Sequence, residues 1–143
     1  MLDCSNNIRT AYLTKLNGNI SYNSINVPVY GDDSFETTPQ NYVVIGDILD
    51  SADNNNQSFT TNSVVTIDIF SEQYLKRDNS IVDNIASQIL NLLIPNTAIQ
   101  DIGDIYFQIF PIDRSSSRYL ALNEGNNYVV RKIITINNLV NQK

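Results

Sequence analysis

The sequence predicts an α+β domain: a mostly antiparallel twisted sheet with two helices packed on one face, in the order α-β-β-β-β-α-β-β. Three observations predict it. Two stretches, one around residues 3–17 and one opening at Ser80, repeat apolar residues at helical spacing. The remaining apolar runs alternate with a period of two, as strands with one wet face do. No repeat and no Gly/Ser-rich linker divides the chain, so residues 1–143 are expected to fold as a single domain, long enough to bury a core without metal or disulfide staples.

In the first helix Ile8, Tyr12 and Leu16 fall four apart, with Ala11 and Leu13 widening the stripe. Asp3 or Ser5 can cap its start, and Asn17-Gly18 is a good left-handed stop. The segment NISYNSINVPVY, residues 19–30, alternates and turns at Asn23-Ser24, giving a short hairpin. Pro28 lacks an N–H, so this strand ends there or lies at an edge. GDDSFETTPQ, residues 31–40, is a polar connection, and Pro39 holds the chain extended into NYVVIGDIL. Tyr42, Val44 and Gly46 are assigned to one face of that strand and Val43, Ile45 and Asp47 to the other. Apolar character on both faces points to a central position or a covered second face. In SVVTIDIF, Val65, Ile67 and Ile69 point one way, Thr66 and Asp68 the other.

The second helix carries Ile81, Ile85, Ile89, Leu92 and Leu93 as its stripe, and Pro95 ends the run. Ser80 is read as its N-cap, with Asp83 three residues on as a variant of the capping box. DIYFQIFPI and NNYVVRKIITIN close the sheet. In the second of these Tyr128, Val130, Lys132 and Ile134 share a face opposite Val129, Arg131 and Ile133.

Composition excludes several classes of function. A net charge of −6 from 15 acidic and nine basic residues argues against a nucleic-acid-binding surface, because such affinity comes from Lys and Arg neutralising phosphates. The chain has no histidine, which removes Ser-His-Asp, Cys-His and His-metal sites together. Cys4 is the sole cysteine and is expected to be inert, having no imidazole to activate it. Asp47, Asp50 and Asp53 recur every third residue, but an EF-hand loop started at Asp53 would place Ser58 and Val64 where Gly and Glu are required. Asp101 and Asp104 flank Gly103 and are read as a turn rather than an acid–base pair. The expectation is a chain that is not an enzyme, with no cofactor and no metal. No apolar stretch approaches the ~18 residues that span a bilayer, and MLDCSNNIRT lacks the basic start and apolar run of a signal peptide, so no membrane partner is expected.

Two polar segments remain, residues 50–62 and 113–127, and both are read as loops presented by rigid strands, a usual home of contact residues. The candidate subunit-interface residues are Asp50, Asp53, Asn55 and Phe59 in the first, and Arg114, Ser116, Arg118, Tyr119 and Glu124 in the second.

A helix, a short hairpin, and then PQNYVVIGD running into VVTIDIFSEQ resembles the small tail-completion or tail-terminator proteins of bacteriophages. Those proteins carry a Pro-x-x-Tyr-Val lead-in to a strand, a strand of the VVTIDIF type, a helix like SIVDNIASQILNLL and a closing pair of strands. The Asn- and Ile-rich style, with 21 Asn and 19 Ile, is also similar to structural proteins of crAss-like phages, whose necks contain stacked rings. The resemblance implies a virion protein of the neck or tail, assembled in the host cytoplasm. Copies would form a homo-oligomeric ring against portal, ring or tail proteins. The ring would line a channel through which double-stranded DNA passes without specific binding. The alternative is a soluble protein-binding module, such as an assembly chaperone or inhibitor not retained in the virion.

Overall fold

The computed structural model describes residues 3–31, 39–52, 60–95 and 99–143. Its elements are α1 (Ser5–Leu16), β1 (Ser21–Tyr22), β2 (Ile25–Asn26), β3 (Val29–Tyr30), β4 (Asn41–Ala52), β5 (Thr60–Tyr74), α2 (Ser80–Leu93), β6 (Phe107–Glu124) and β7 (Asn127–Gln142). The fold is α+β in the expected order, with the second arm of the early hairpin split at Pro28 into β2 and β3. The main sheet runs β3-β4-β5-β7-β6, and β1-β2 form a separate ribbon. All pairings in the main sheet are antiparallel except β3 with β4.

The local signals act where the chain needs them. Gly18 adopts φ +84° just past α1, the left-handed stop expected there. Asn23 and Ser24 both take positive φ, the requirement of a type I′ hairpin turn. The start of α2 differs from expectation. Asn79, not Ser80, stands at the N-cap without a side-chain bond, while Asp78 Oδ1 accepts from Ser80 N at 2.9 Å. Asp83 is thereby free of the helix start and reaches β7 instead.

One face of the sheet carries both helices. Ile8, Tyr12 and Leu16 of α1 and Val82, Ile85, Ile89 and Leu93 of α2 are buried against Val43, Ile45, Val65, Ile67, Ile69, Ile109, Ile134 and Ile136. Tyr12 Oη donates to Asn138 Oδ1 at 2.5 Å, joining the first helix to the last strand inside this core. The expected face assignment of β4 holds through Ile45 and then changes. Ile45 pairs with Ile67 but Ile48 with Val65, so β4 carries one residue more than β5 at Gly46–Asp47. Beyond this bulge the parity flips: Asp50, paired with Ser63, now lies on the helix side. A Cβ on Gly46 would sit 3.3 Å from Thr66 O, a tight approach to backbone at the kink.

The reading of residues 113–127 as a loop is corrected. β6 continues unbroken through Glu124, and a two-residue turn, Gly125-Asn126, returns the chain into β7. Gly125 takes φ +64°, as the first central position of a type II′ turn requires. The strand was hidden because most of it is wet on both sides and Tyr119–Leu122 puts apolar residues on both faces, so no polar–apolar alternation marks it. The segment 50–62 is also shorter as a connection than expected, since Asp50–Ala52 belong to β4 and Thr60–Asn62 to β5. Asp53, Asn55 and Phe59 lie outside the described residues.

Candidate contact surface

The second face of the sheet carries no described helix, and its side chains organise into cross-strand rows. Tyr42, Phe70, Arg131 and Leu120 stand opposite one another across β4, β5, β7 and β6. The next row is Val44, Asp68, Ile133 and Arg118. Tyr42 stacks on Phe70 with centroids 4.7 Å apart, and Tyr30 meets Tyr42 edge-on at 6.3 Å. The Arg131 guanidinium lies 5.2 Å from the Phe70 centroid and reaches diagonally to Asp68 Oδ2 at 2.9 Å. One side chain thus serves both rows. Such a contact over an aromatic face is worth about 0.5–1 kcal/mol where water reaches it. The other carboxylate oxygen of Asp68 and Nε of Arg131 are buried without a partner among the described residues. Val44 and Ile133 are buried on this face.

β6 forms the rim of this face. It pairs with β7 along its whole length, and no described strand lies on its other side. Its irregularities fall early, between Pro111 and Asp113 and between Arg114 and Ser116, and from Ser116 to Glu124 the register is regular. Leu120 and Leu122 on the open face are 44% and 66% exposed, too much apolar surface for an ordinary wet edge. The opposite edge is handled differently. β3 is two residues long, Pro28 precedes it, and Arg9 Nη1 donates to Ile45 O at 2.7 Å just before the bulge in β4. Those are the devices that blunt an edge.

On the helix side, β6 is fastened. Tyr119 Oη donates to Asp83 Oδ1 at 2.5 Å, and Lys132 Nζ donates to the same oxygen at 2.6 Å. Lys132 also lies 3.2 Å from Tyr119 Oη and 4.8 Å from its ring centroid. Burial works against charge on Asp83, but the bonds from Lys132 and Tyr119 outweigh it and hold the carboxyl below its usual range. Burial likewise opposes the Lys132 ammonium, while Asp83 and Tyr119 more than restore it and raise its pKa.

The predicted contact residues divide on this geometry. Asp50 accepts from Ser63 Oγ at 2.5 Å and from Ser5 Oγ at 3.1 Å, tying β4 to β5 and to the start of α1. Ser116 Oγ lies 2.7 Å from Thr135 Oγ1, within the hairpin. Tyr119 is turned to α2. Arg114 lines a groove with Asn84, Gln88, Asn91 and Ile112, between α2 and β6. Arg118 and Glu124 are exposed along the regular part of β6. The sequence reading missed Leu120, Leu122, Asp68 and Arg131. The signal was present: from Arg118 on, every second residue of β6 is Arg, Leu, Leu, Glu. Asp101 and Asp104 are turn anchors. Asp101 Oδ1 accepts from the backbone N–H of Gly103 and Ile109, and Asp104 Oδ1 from those of Tyr106 and Phe107.

No protein-family model and no curated protein matches the chain.

Proposed function

We propose that this chain is a structural subunit of a phage neck or tail, a ring-forming head-to-tail connector or tail terminator. Its copies, with portal, ring or tail proteins beside them, would wall a channel for double-stranded DNA, and its side chains would make and break no bond. The observation that carries the reading is the open sheet face and its long rim strand. A sheet that leaves Leu120, Leu122 and the Tyr42–Phe70–Arg131 row facing outwards is suited to being completed by other protein surface. The acidic balance of the chain fits a wall along which DNA moves without adhering.

Mass spectrometry of purified virions of the phage that encodes the chain tests the proposal. A ring subunit is expected there in fixed stoichiometry with the portal protein. Its absence from the particle, with recovery in complex with another phage protein in infected cells, would replace this reading by an assembly chaperone or inhibitor.

A further inference from the structure

We propose that in the free protein two copies join through β6, edge to edge and antiparallel about Ala121, so that their sheets become continuous across a two-fold axis. The inference concerns the isolated polypeptide and holds or fails whatever particle the chain serves.

The backbone sets the first condition. In a two-residue hairpin the residues flanking the turn exchange both of their main-chain bonds, so Glu124 spends its groups on Asn127. Alternation then turns the N–H and C=O groups of Asn123, Ala121 and Tyr119 outwards, away from β7. Two such edges can bond only in registers that set odd residues against odd residues. Centring the pair on Ala121 meets this rule and places Tyr119 opposite Asn123 of the second copy.

The side chains set the second condition, and this register satisfies it twice over. On the open face Leu120 falls opposite Leu122, and Arg118 opposite Glu124, each pair occurring on both sides of the axis. The centre of the contact is therefore apolar and its two ends carry opposite charges. Those four residues are all exposed in the single chain. Cross-strand pairs of these kinds are the units that stabilise a sheet.

The third argument is what the chain leaves undone. The β3–β4 edge is shortened, capped by Arg9 and bulged, whereas β6 from Ser116 to Glu124 has no bulge, no proline and no lysine. A regular edge of that length bearing two exposed leucines favours strand addition unless something covers it. A self-complementary sequence on that edge points to a second copy, and the blunted far edge makes a head-to-tail β6–β4 pairing the poorer fit.

The test uses the intact chain. Size-exclusion chromatography with light scattering should give a dimer. Mixing Leu120→Cys with Leu122→Cys under mild oxidation should give a disulfide-linked pair in high yield. Each variant alone should give only background, because the register sets 120 against 122; native Cys4, only 3% exposed, takes no part. Arg118→Glu or Glu124→Arg alone should weaken the dimer about tenfold or more, and the double variant should restore it. Circular dichroism of each variant checks that the fold persists. A wild-type monomer at the concentrations used for cross-linking overturns the proposal. So does an oligomer in which the mixed cysteines fail to link and the charge exchange fails to rescue.

Discussion

Lys132, in the middle of β7, donates to Asp83 in the first turn of α2 at 2.6 Å, and Tyr119 of β6 completes the triangle. The β6–β7 hairpin is thereby fixed to one carboxylate of α2. The charges are matched, but the Asp83 side chain is 45% exposed, so the pair contributes on the order of 0.5–1 kcal/mol.

Lys132→Met should therefore cost little at neutral pH and reveal itself in the pH profile. The Asp83 carboxyl is held below its ordinary 3.8, so its contribution is present above that value and is lost as pH falls through the lowered one. The Lys132 ammonium is held above its ordinary 10.5, so its contribution is complete below 10.5 and is lost as pH rises through the raised value. Thermal melts of the two proteins should differ by a constant amount between about pH 5 and 9 and converge beyond both limits. A gap independent of pH would mean that the lysine acts through its methylenes alone.

Tyr12→Phe should cost about 1–2 kcal/mol, because it leaves buried Asn138 Oδ1 without its donor. Urea unfolding with an unchanged slope and a lower midpoint is the expected result. Burial also pushes the Tyr12 phenol well above its ordinary value of 10.0, the bond to Asn138 only partly opposing this. In a spectrophotometric titration one tyrosine should thus ionise only when the fold is lost.

Gly103→Ala should destabilise by about 3 kcal/mol or more. A Cβ at this position would meet Phe107 O at 2.0 Å and Ile109 N at 2.9 Å, both of them backbone atoms that cannot swing aside. The turn between Asp101 and Phe107 would have to open, releasing the bonds that start β6. Thermal denaturation measures the loss, and a melting temperature equal to the wild type would show that the turn deforms cheaply.

Cys4 should resist alkylation in the native protein and react fully in denaturant. Its thiol is raised above the ordinary 9.0 first by burial and then by the negative charge of Asp50. Rapid labelling of the folded protein at neutral pH would show that the start of α1 opens readily.

Much of the fold was legible because its helices and most core strands bury one face more deeply than the other. Ile8, Tyr12 and Leu16 announce a buried stripe, and Lys132 and Ile134 were set correctly opposite Arg131 and Ile133. The illegible parts have two causes. Along Asp113–Glu124 neither face of β6 is buried, so no hydrophobic period marks the strand. The contact surface was half visible: Arg118 and Glu124 were singled out, but as members of a loop. Tyr119 was read as an outward contact, but its register opposite Lys132 puts it on the helix side, where it meets Asp83. The Tyr42–Phe70–Arg131 row joins residues up to 89 apart in number, and no local pattern encodes which strands become neighbours.

The extra residue at Gly46–Asp47 has an effect on how this strand can be recognised in other chains. Upstream of it odd-numbered positions look towards the helices, and downstream even-numbered ones do. A related sequence built without the kink would be one residue shorter here. Its inward and outward positions would fall out of step with these from Ile48 onwards unless a gap were opened at that point.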